Sequence, residues 1–259
     1  MTTTNDSGSV HTEISSQGIA TISFYHPAQN SLPALLLQKL ADAIDEAGND
    51  AGVRVIILKS EGDRTFCAGA SFDELLQIKD KSAGTEFFSG FANVINACRK
   101  TSRIVIARVQ GKALGGGVGL AAAADYCFAT QFASVKLSEL AIGIGPFVIS
   151  PAVIRKVGLA AFSQLTLCAT DFQTAQWAKD KGLYNDVYPD LNALDTALAG
   201  FAEKLCSYSP EALTAIKKIM WEGTENWDEL LHKRAAVSGE LVLSEFTQTA
   251  LKSFLGNKK

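Results

Sequence analysis

Three short runs of β-branched and apolar residues, Ile19 to Phe24, Val53 to Leu58 and Ile104 to Val109, alternate with helical patterns at Leu35 to Ala47 and Thr85 to Arg99. A β-α-β order of this kind restricts the chain to an α/β fold. From about Ile149 onward the strand signals nearly vanish. Helical segments are expected at Ile149 to Val157, Ala160 to Leu167, Leu194 to Cys206, Glu211 to Met220 and Trp227 to Leu243. The start at Ser209-Pro210-Glu211 has a mechanism, because Ser caps, Pro fits the first turn and Glu suits the positive end of the dipole. The aromatic-bearing segment Glu245 to Leu255 suits a helix that caps a ligand or touches another subunit.

At 259 residues and 47% apolar content the chain can bury a large core. A net charge of -3 offers no clustered excess of Lys and Arg for neutralising phosphates, so nucleic acid is not an expected partner. The longest small and apolar run, Ala113 to Ala124, is shorter than the ~18 residues of a membrane span. Residues Met1 to Gly8 lack the apolar segment of an export signal, so a frayed tail and a cytoplasmic location are expected. Five scattered cysteines without a C-x-x-C pair suggest small buried side chains, not disulfides. His11, His26 and His232 share no helical face with a Cys or a carboxylate at ligand spacing, so no metal is expected.

Between the third strand and the alanine-rich stretch Ala121 to Ala124 lies Gly111-Lys112-Ala113-Leu114-Gly115-Gly116-Gly117-Val118-Gly119-Leu120. Glycines let a backbone approach a ligand or a helix closely, and amides at a helix start are unpaired donors. A nucleotide loop is disfavoured, because its G-K-[ST] ending is missing and Lys112 precedes the cluster. A dinucleotide fingerprint is formally present at Gly117 to Ala122, but it does not directly follow its strand. Close helix packing and stabilisation of a developing oxyanion both remain open. A second turn of small residues, Phe66-Cys67-Ala68-Gly69-Ala70-Ser71-Phe72-Asp73-Glu74-Leu75, favours the latter, since two strand-to-helix turns can aim their amides at one oxygen.

These two segments together resemble the crotonase, or enoyl-CoA hydratase/isomerase, superfamily. Asp125, Lys136-Leu137-Ser138-Glu139, Ile142-Gly143-Ile144-Gly145-Pro146 and the tail Ser244 to Leu255 match it as well, so that the resemblance spans about Ile14 to Leu255. It implies a spiral of repeated β-β-α units with a helical C-terminal region, divided as tail 1–10, spiral core 11–200 and trimerisation region 201–259. A homotrimer or dimer of trimers acting on an acyl-CoA thioester is implied, with no cofactor beyond the coenzyme A of the substrate. Carried over by position, the oxyanion hole is the amides of Ala70 and Gly116, with Ala68, Gly69, Ala70, Ser71, Phe72 and Gly116 binding the coenzyme A thioester. Glu139 is the acid/base.

Hydratases of the family use a second glutamate, in a Gly-Gly-Gly-x-Glu pattern, where this chain has Gly119. Adding water across a C=C is normally shared between two polar groups, whereas carrying a proton from the α- to the γ-carbon takes one base. Double-bond isomerisation therefore suits the chain slightly better. A 2-enoyl-CoA hydratase of fatty-acid or branched-chain catabolism, with Ser138, Ser71 or Glu74 as substitute acid, is the alternative. A non-catalytic acyl-CoA-binding protein is a further one. Asp125 is expected to be a buried structural carboxylate. The acyl group is set by loops around Phe87, Phe88 and Phe147, which sequence does not place.

Overall fold

The structure is a computed structural model that describes residues 8–256. Its strands are β1 (Ser9–Ile14), β2 (Ile19–Tyr25), β3 (Val55–Ser60), β4 (Thr65–Cys67), β5 (Ile104–Val109), β6 (Lys112–Leu114), β7 (Tyr126–Thr130), β8 (Val135–Lys136) and β9 (Asp186–Tyr188). Its helices are α1 (Ala34–Asn49), α2 (Phe72–Leu75), α3 (Lys81–Lys100), α4 (Gly116–Ala123), α5 (Ser150–Leu167), α6 (Ala175–Asp180), α7 (Leu191–Cys206), α8 (Pro210–Met220), α9 (Trp227–Leu241) and α10 (Glu245–Gly256). A single 3-10 turn covers Glu139–Ile142.

Six strands form a sheet in the order β1-β2-β3-β5-β7-β9, parallel except for the β1/β2 pair. A second, parallel sheet has the order β4-β6-β8. The chain thus repeats one course three times: β3 then β4 then α2 and α3, β5 then β6 then α4, β7 then β8 then α5. Each turn gives a long strand to the large sheet and a short one to the small sheet, which is the β-β-α spiral that the resemblance implies.

The central strands are apolar on consecutive positions because both faces of the large sheet are covered. Ile56, Leu58, Val105, Ala107 and Cys127 face the core shared with α1, α3 and α4. Val55, Ile57, Ile104, Ile106 and Phe128 face Leu194, Leu198, Ala202 and Leu205 of α7. Cys67, Cys98 and Cys127 are buried thiols, whose pKa values burial pushes up to about 12.

Several expectations need correction. Strand β9 lies beyond Ile149, pairing with β7 as Phe128 with Asp186 and Thr130 with Tyr188. Three half-buried residues are too few to show a period of two, so only the pairing reveals this strand. Residues 1–7 of the expected tail lie outside the described residues, while Ser9 and Val10 pair with Tyr25 and Phe24 and belong to the edge strand of the large sheet. The boundary at 200 cuts α7, which packs on the large sheet, so the core runs on to Cys206. The two helices expected on either side of Gly158 are there, parted by that glycine at φ 76 and ψ 164.

Asp125 joins the C-terminal helices to the spiral. Its carboxylate accepts from the Val105 amide at 2.7 Å, from Lys217 Nζ at 2.8 Å and from Trp221 Nε1 at 2.7 Å. Lys217 also donates to the carbonyls of Cys98 and Arg103, at 2.8 and 2.6 Å. Buried charges persist only where they are paired and hydrogen-bonded in this way. Helix α8 starts as the sequence suggests, with Ser209 Oγ accepting from the Ala212 amide at 3.2 Å. Ser209→Ala is expected to cost about 1 kcal/mol in denaturant unfolding, the usual value of a lost cap.

Candidate active site

The three short strands of the small sheet run parallel and side by side, Cys67 opposite Ala113 and Leu114 opposite Lys136. Their C-terminal ends therefore release three segments at one place: Ala68-Gly69-Ala70, Gly115-Gly116, and Ser138-Glu139. All of these residues line one cleft, of about 540 Å³ counted to its open mouth. Loops leaving the carboxyl ends of parallel strands are a common place for ligands.

The first segment is tied down on both sides of Ala70. The Leu32 amide donates to Gly69 O at 2.8 Å and the Ser71 amide to Leu32 O at 3.3 Å. This parallel bridge leaves the Ala70 N–H out of its pairing. In the second segment the Gly115 amide donates to Lys136 O at 2.9 Å, and Gly116 is the first residue of α4. An amide at that position has no intrahelical acceptor. The two segments touch, for a Cβ placed on Gly69 would lie 3.5 Å from the Gly116 nitrogen. Each segment thus brings a backbone donor to the cleft, and two such donors aimed at one oxygen are what an enolate or a tetrahedral oxyanion needs.

Glu139 opens the 3-10 turn at the third segment. Its Oε2 is buried without a hydrogen-bond partner, and burial raises the carboxyl pKa from 4.5 to about 7, against a small opposing effect of its own backbone amide. A carboxyl poised there donates and accepts a proton with equal ease near neutral pH. No other titratable side chain lines the cleft among the described residues. Gly115 keeps the space beside Glu139 open, having φ 50 and ψ -120, with a would-be Cβ 3.1 Å from Glu139 Oε1. Gly115→Ala is expected to lose about 1–3 kcal/mol of stability to backbone strain. The same displacement of the carboxylate should lower kcat far more than KM, in steady-state kinetics on the folded variant.

Apart from Ser238 of α9, the remaining walls are apolar and include Phe72, Leu75, Phe88, Phe91, Ile142, Ile144, Phe147 and Ile149. Of the aromatic residues singled out in the sequence, Phe88 and Phe147 reach the cleft, and Phe87 buttresses Phe88 edge to face at 5.3 Å. Ala68, Gly69, Ala70, Phe72 and Gly116 line the cleft as well. Ser71 does not, since its hydroxyl caps α2 by accepting from the Glu74 amide. Glu74 is likewise engaged, its Oε2 accepting from the Ala34 amide at 2.7 Å. Helix α10 lies on the 3-10 turn, with Phe246 and Thr247 against Gly143, and none of its described side chains reaches the cleft.

Sequence reasoning missed Ile149 and Ser238. Ser238 of α9 is buried and lines the same cleft as Ser138. Its signal was present, because Trp227, Leu231, Ala235 and Ser238 form one buried stripe that ends in a hydroxyl.

A model of the family described as Enoyl-CoA hydratase/isomerase matches residues 14–259. The chain belongs to the enoyl-CoA hydratase/isomerase family. It is similar to a probable enoyl-CoA hydratase of Bacillus subtilis, 28% identical over 94% of each chain. It is also similar to the peroxisomal Delta(3,5)-Delta(2,4)-dienoyl-CoA isomerase of Arabidopsis thaliana, 29% identical over 76% of this chain and 74% of that one. The crystal structure of an enoyl-CoA hydratase from Mycobacterium avium superposes with a TM-score of 0.84 at 27% identity, covering 96% of each chain. The protein is accordingly an enoyl-CoA hydratase/isomerase family enzyme of acyl-CoA thioesters, and family membership accounts for a mixed α/β spiral with three small-sheet strands aimed at one cleft. No described helix is long and apolar enough to cross a membrane.

Proposed function

We propose that the protein moves a double bond along an acyl-CoA thioester, with Glu139 as the only acid/base and the amides of Ala70 and Gly116 as the oxyanion hole. Ionised Glu139 takes the α-proton of a 3-enoyl thioester, the electron pair passes to the thioester oxygen held by the two amides, and the same carboxyl returns the proton to the γ-carbon. The product is the conjugated 2-enoyl thioester, and no water enters or leaves. The observation that carries this reading is a lone, unpartnered carboxyl in a cleft whose other side chains are apolar or hydroxyl-bearing. Removing one oxyanion donor typically costs ~10²–10³ in rate, so the amides supply a large share of the barrier lowering.

Hydration of a 2-enoyl-CoA is the second reading. It is favoured by the hydratase names of relatives and by the Ser138 and Ser238 hydroxyls, which are able to hold a water. Ser71 and Glu74 are occupied elsewhere and do not support it. The deciding assay gives the purified protein 3-enoyl-CoA and 2-enoyl-CoA of matched chain length. Faster conversion of the 3-enoyl substrate supports isomerisation, whereas faster loss of the conjugated 2-enoyl absorbance overturns that preference. Tight thioester binding with neither turnover nor α-deuterium exchange would point to a non-catalytic binder. A homotrimer or dimer of trimers is proposed from the family resemblance, and the exposed apolar side chains Phe132, Leu159 and Leu167 are compatible with buried subunit contacts. Light scattering of the eluting protein reads the assembly.

A further inference from the structure

Gly119 is buried on α4, one turn beyond the amide of Gly116, yet it is absent from the cleft wall. Ile149 stands between them. A Cβ built on Gly119 would lie 2.3 Å from Ile149 Cγ2 and 2.7 Å from Ile149 Cβ, closer than atoms pack. Ile149 itself is 3% exposed, lines the cleft, and precedes α5 directly, where its backbone is held by the Val153 amide donating to Ile149 O at 3.0 Å. Its branched Cβ sits at the point of contact, so rotation about χ1 does not clear the space.

We infer that Ile149 is the specificity-determining residue that confines this site to proton transfer: it occupies the volume that a second carboxylate, or the water such a group would hold, needs next to the substrate. The inference deepens the isomerase reading and rests on it. The change at position 119 is then one half of a pair. A glutamate restored there alone meets the Ile149 side chain, while removing Ile149 alone opens an apolar hole without an acid. With both changes, the ionised second carboxyl can take a proton from a water whose oxygen bonds to the β-carbon, while protonated Glu139 gives its proton to the α-carbon, and proton exchange with solvent then resets both carboxyls. Atoms balance, because water supplies the hydroxyl and one hydrogen, and no oxidant or reductant takes part.

The steric half is tested apart from the chemistry. Gly119→Ala is expected to lower Tm by about 5 °C, as overpacking a core does, and Ile149→Ala, which removes the Cγ2 contact while leaving Cβ, is expected to cost less in that variant than in the parent. Additive shifts in Tm would show that the two positions do not compete for space and would overturn the inference. The chemical half compares wild type, Gly119→Glu, Ile149→Ala and Gly119→Glu/Ile149→Ala for water addition to a 2-enoyl-CoA. The double variant is expected to hydrate at least tenfold faster than wild type and than either single variant. The inference is overturned if Gly119→Glu alone folds with unchanged Tm and hydrates as fast, if the folded double variant gains no hydration, or if it fails to fold although Gly119→Ala/Ile149→Ala folds. Double-bond migration of a 3-enoyl-CoA by the wild type is followed in parallel. Its absence would refute the isomerase reading, and the Tm cycle would still report on the packing.

Discussion

Glu139→Gln is expected to lower double-bond migration and α-proton exchange by about 10²–10⁴-fold, the usual contribution of a positioned acid/base. Binding of an unreactive thioester should change little, since the amide fills the same space as the carboxyl. The parent's kcat/KM should rise with pH through about 7, because the group that takes the α-proton must be ionised and its pKa is raised to that value by burial. Turnover of the Gln variant at the parent's rate would remove Glu139 from the mechanism.

The same substitution should act on stability in the opposite direction. The folded carboxyl keeps its proton up to about pH 7, whereas the unfolded chain loses it near the ordinary value of 4.5. Between those values the folded state binds more protons, so stability falls as pH rises, and what burial costs is fully felt above pH 7. The Gln variant has no such loss. Its advantage in unfolding free energy over the parent should therefore grow by roughly 3 kcal/mol between pH 4 and pH 8. A difference that stays flat over this range would mean that the carboxyl ionises in the folded protein as it does in water. Lost activity together with gained stability is the mark of a site held strained for function.

The second large effect concerns the anchor of the C-terminal helices. Lys217→Met should destabilise the protein by about 3–5 kcal/mol, as removing one partner of a buried ion pair does. Asp125 would be left with two donors, the Val105 amide and Trp221 Nε1, and would lose the ammonium bonded to its carboxylate, with Arg155 and Lys156 as the remaining nearby cations. Two carbonyls, Cys98 O and Arg103 O, would lose their donor as well. Adding Asp125→Asn to the Met variant removes the stranded charge and should recover at least half of the loss in denaturant titrations. Equal stability of the single and double variants would show that the charge on Asp125 matters little beside its hydrogen bonds.

Part of this protein was legible before any coordinates. Ile104–Val109 is the strand that the sequence suggests, and α1, α3, α7, α8 and α9 lie within a few residues of their expected bounds. Long amphipathic helices and fully apolar strands carry periodicities that the surrounding chain does not override. The two small-residue turns and Glu139 could also be picked out, because glycines before a helix and a carboxylate after a short strand are local signals. Asp125 was legible as a structural carboxylate, but its partners Lys217 and Trp221 lie 92 and 96 residues further along and carry no local mark.

Tertiary structure decided the rest. Strands β4, β6 and β8 have two or three residues each, too few to show a period, and they exist because they pair with one another. That pairing sets Ala70, Gly116 and Glu139 at one cleft, though the chain separates them by dozens of residues. It also explains why the carboxyl of Glu139 is poised near neutrality: burial raises its pKa, and the apolar walls of its cleft come from α3 and from the segment before α5 as well as from its own turn. The glycine at 119 shows that an acid is missing, but only the Ile149 side chain pressed against it shows that the place is filled. Sequence determines what each segment prefers to be, because those preferences are local. What surrounds a buried group depends on side chains brought in from distant turns of the spiral, and that is settled only when the sheets close.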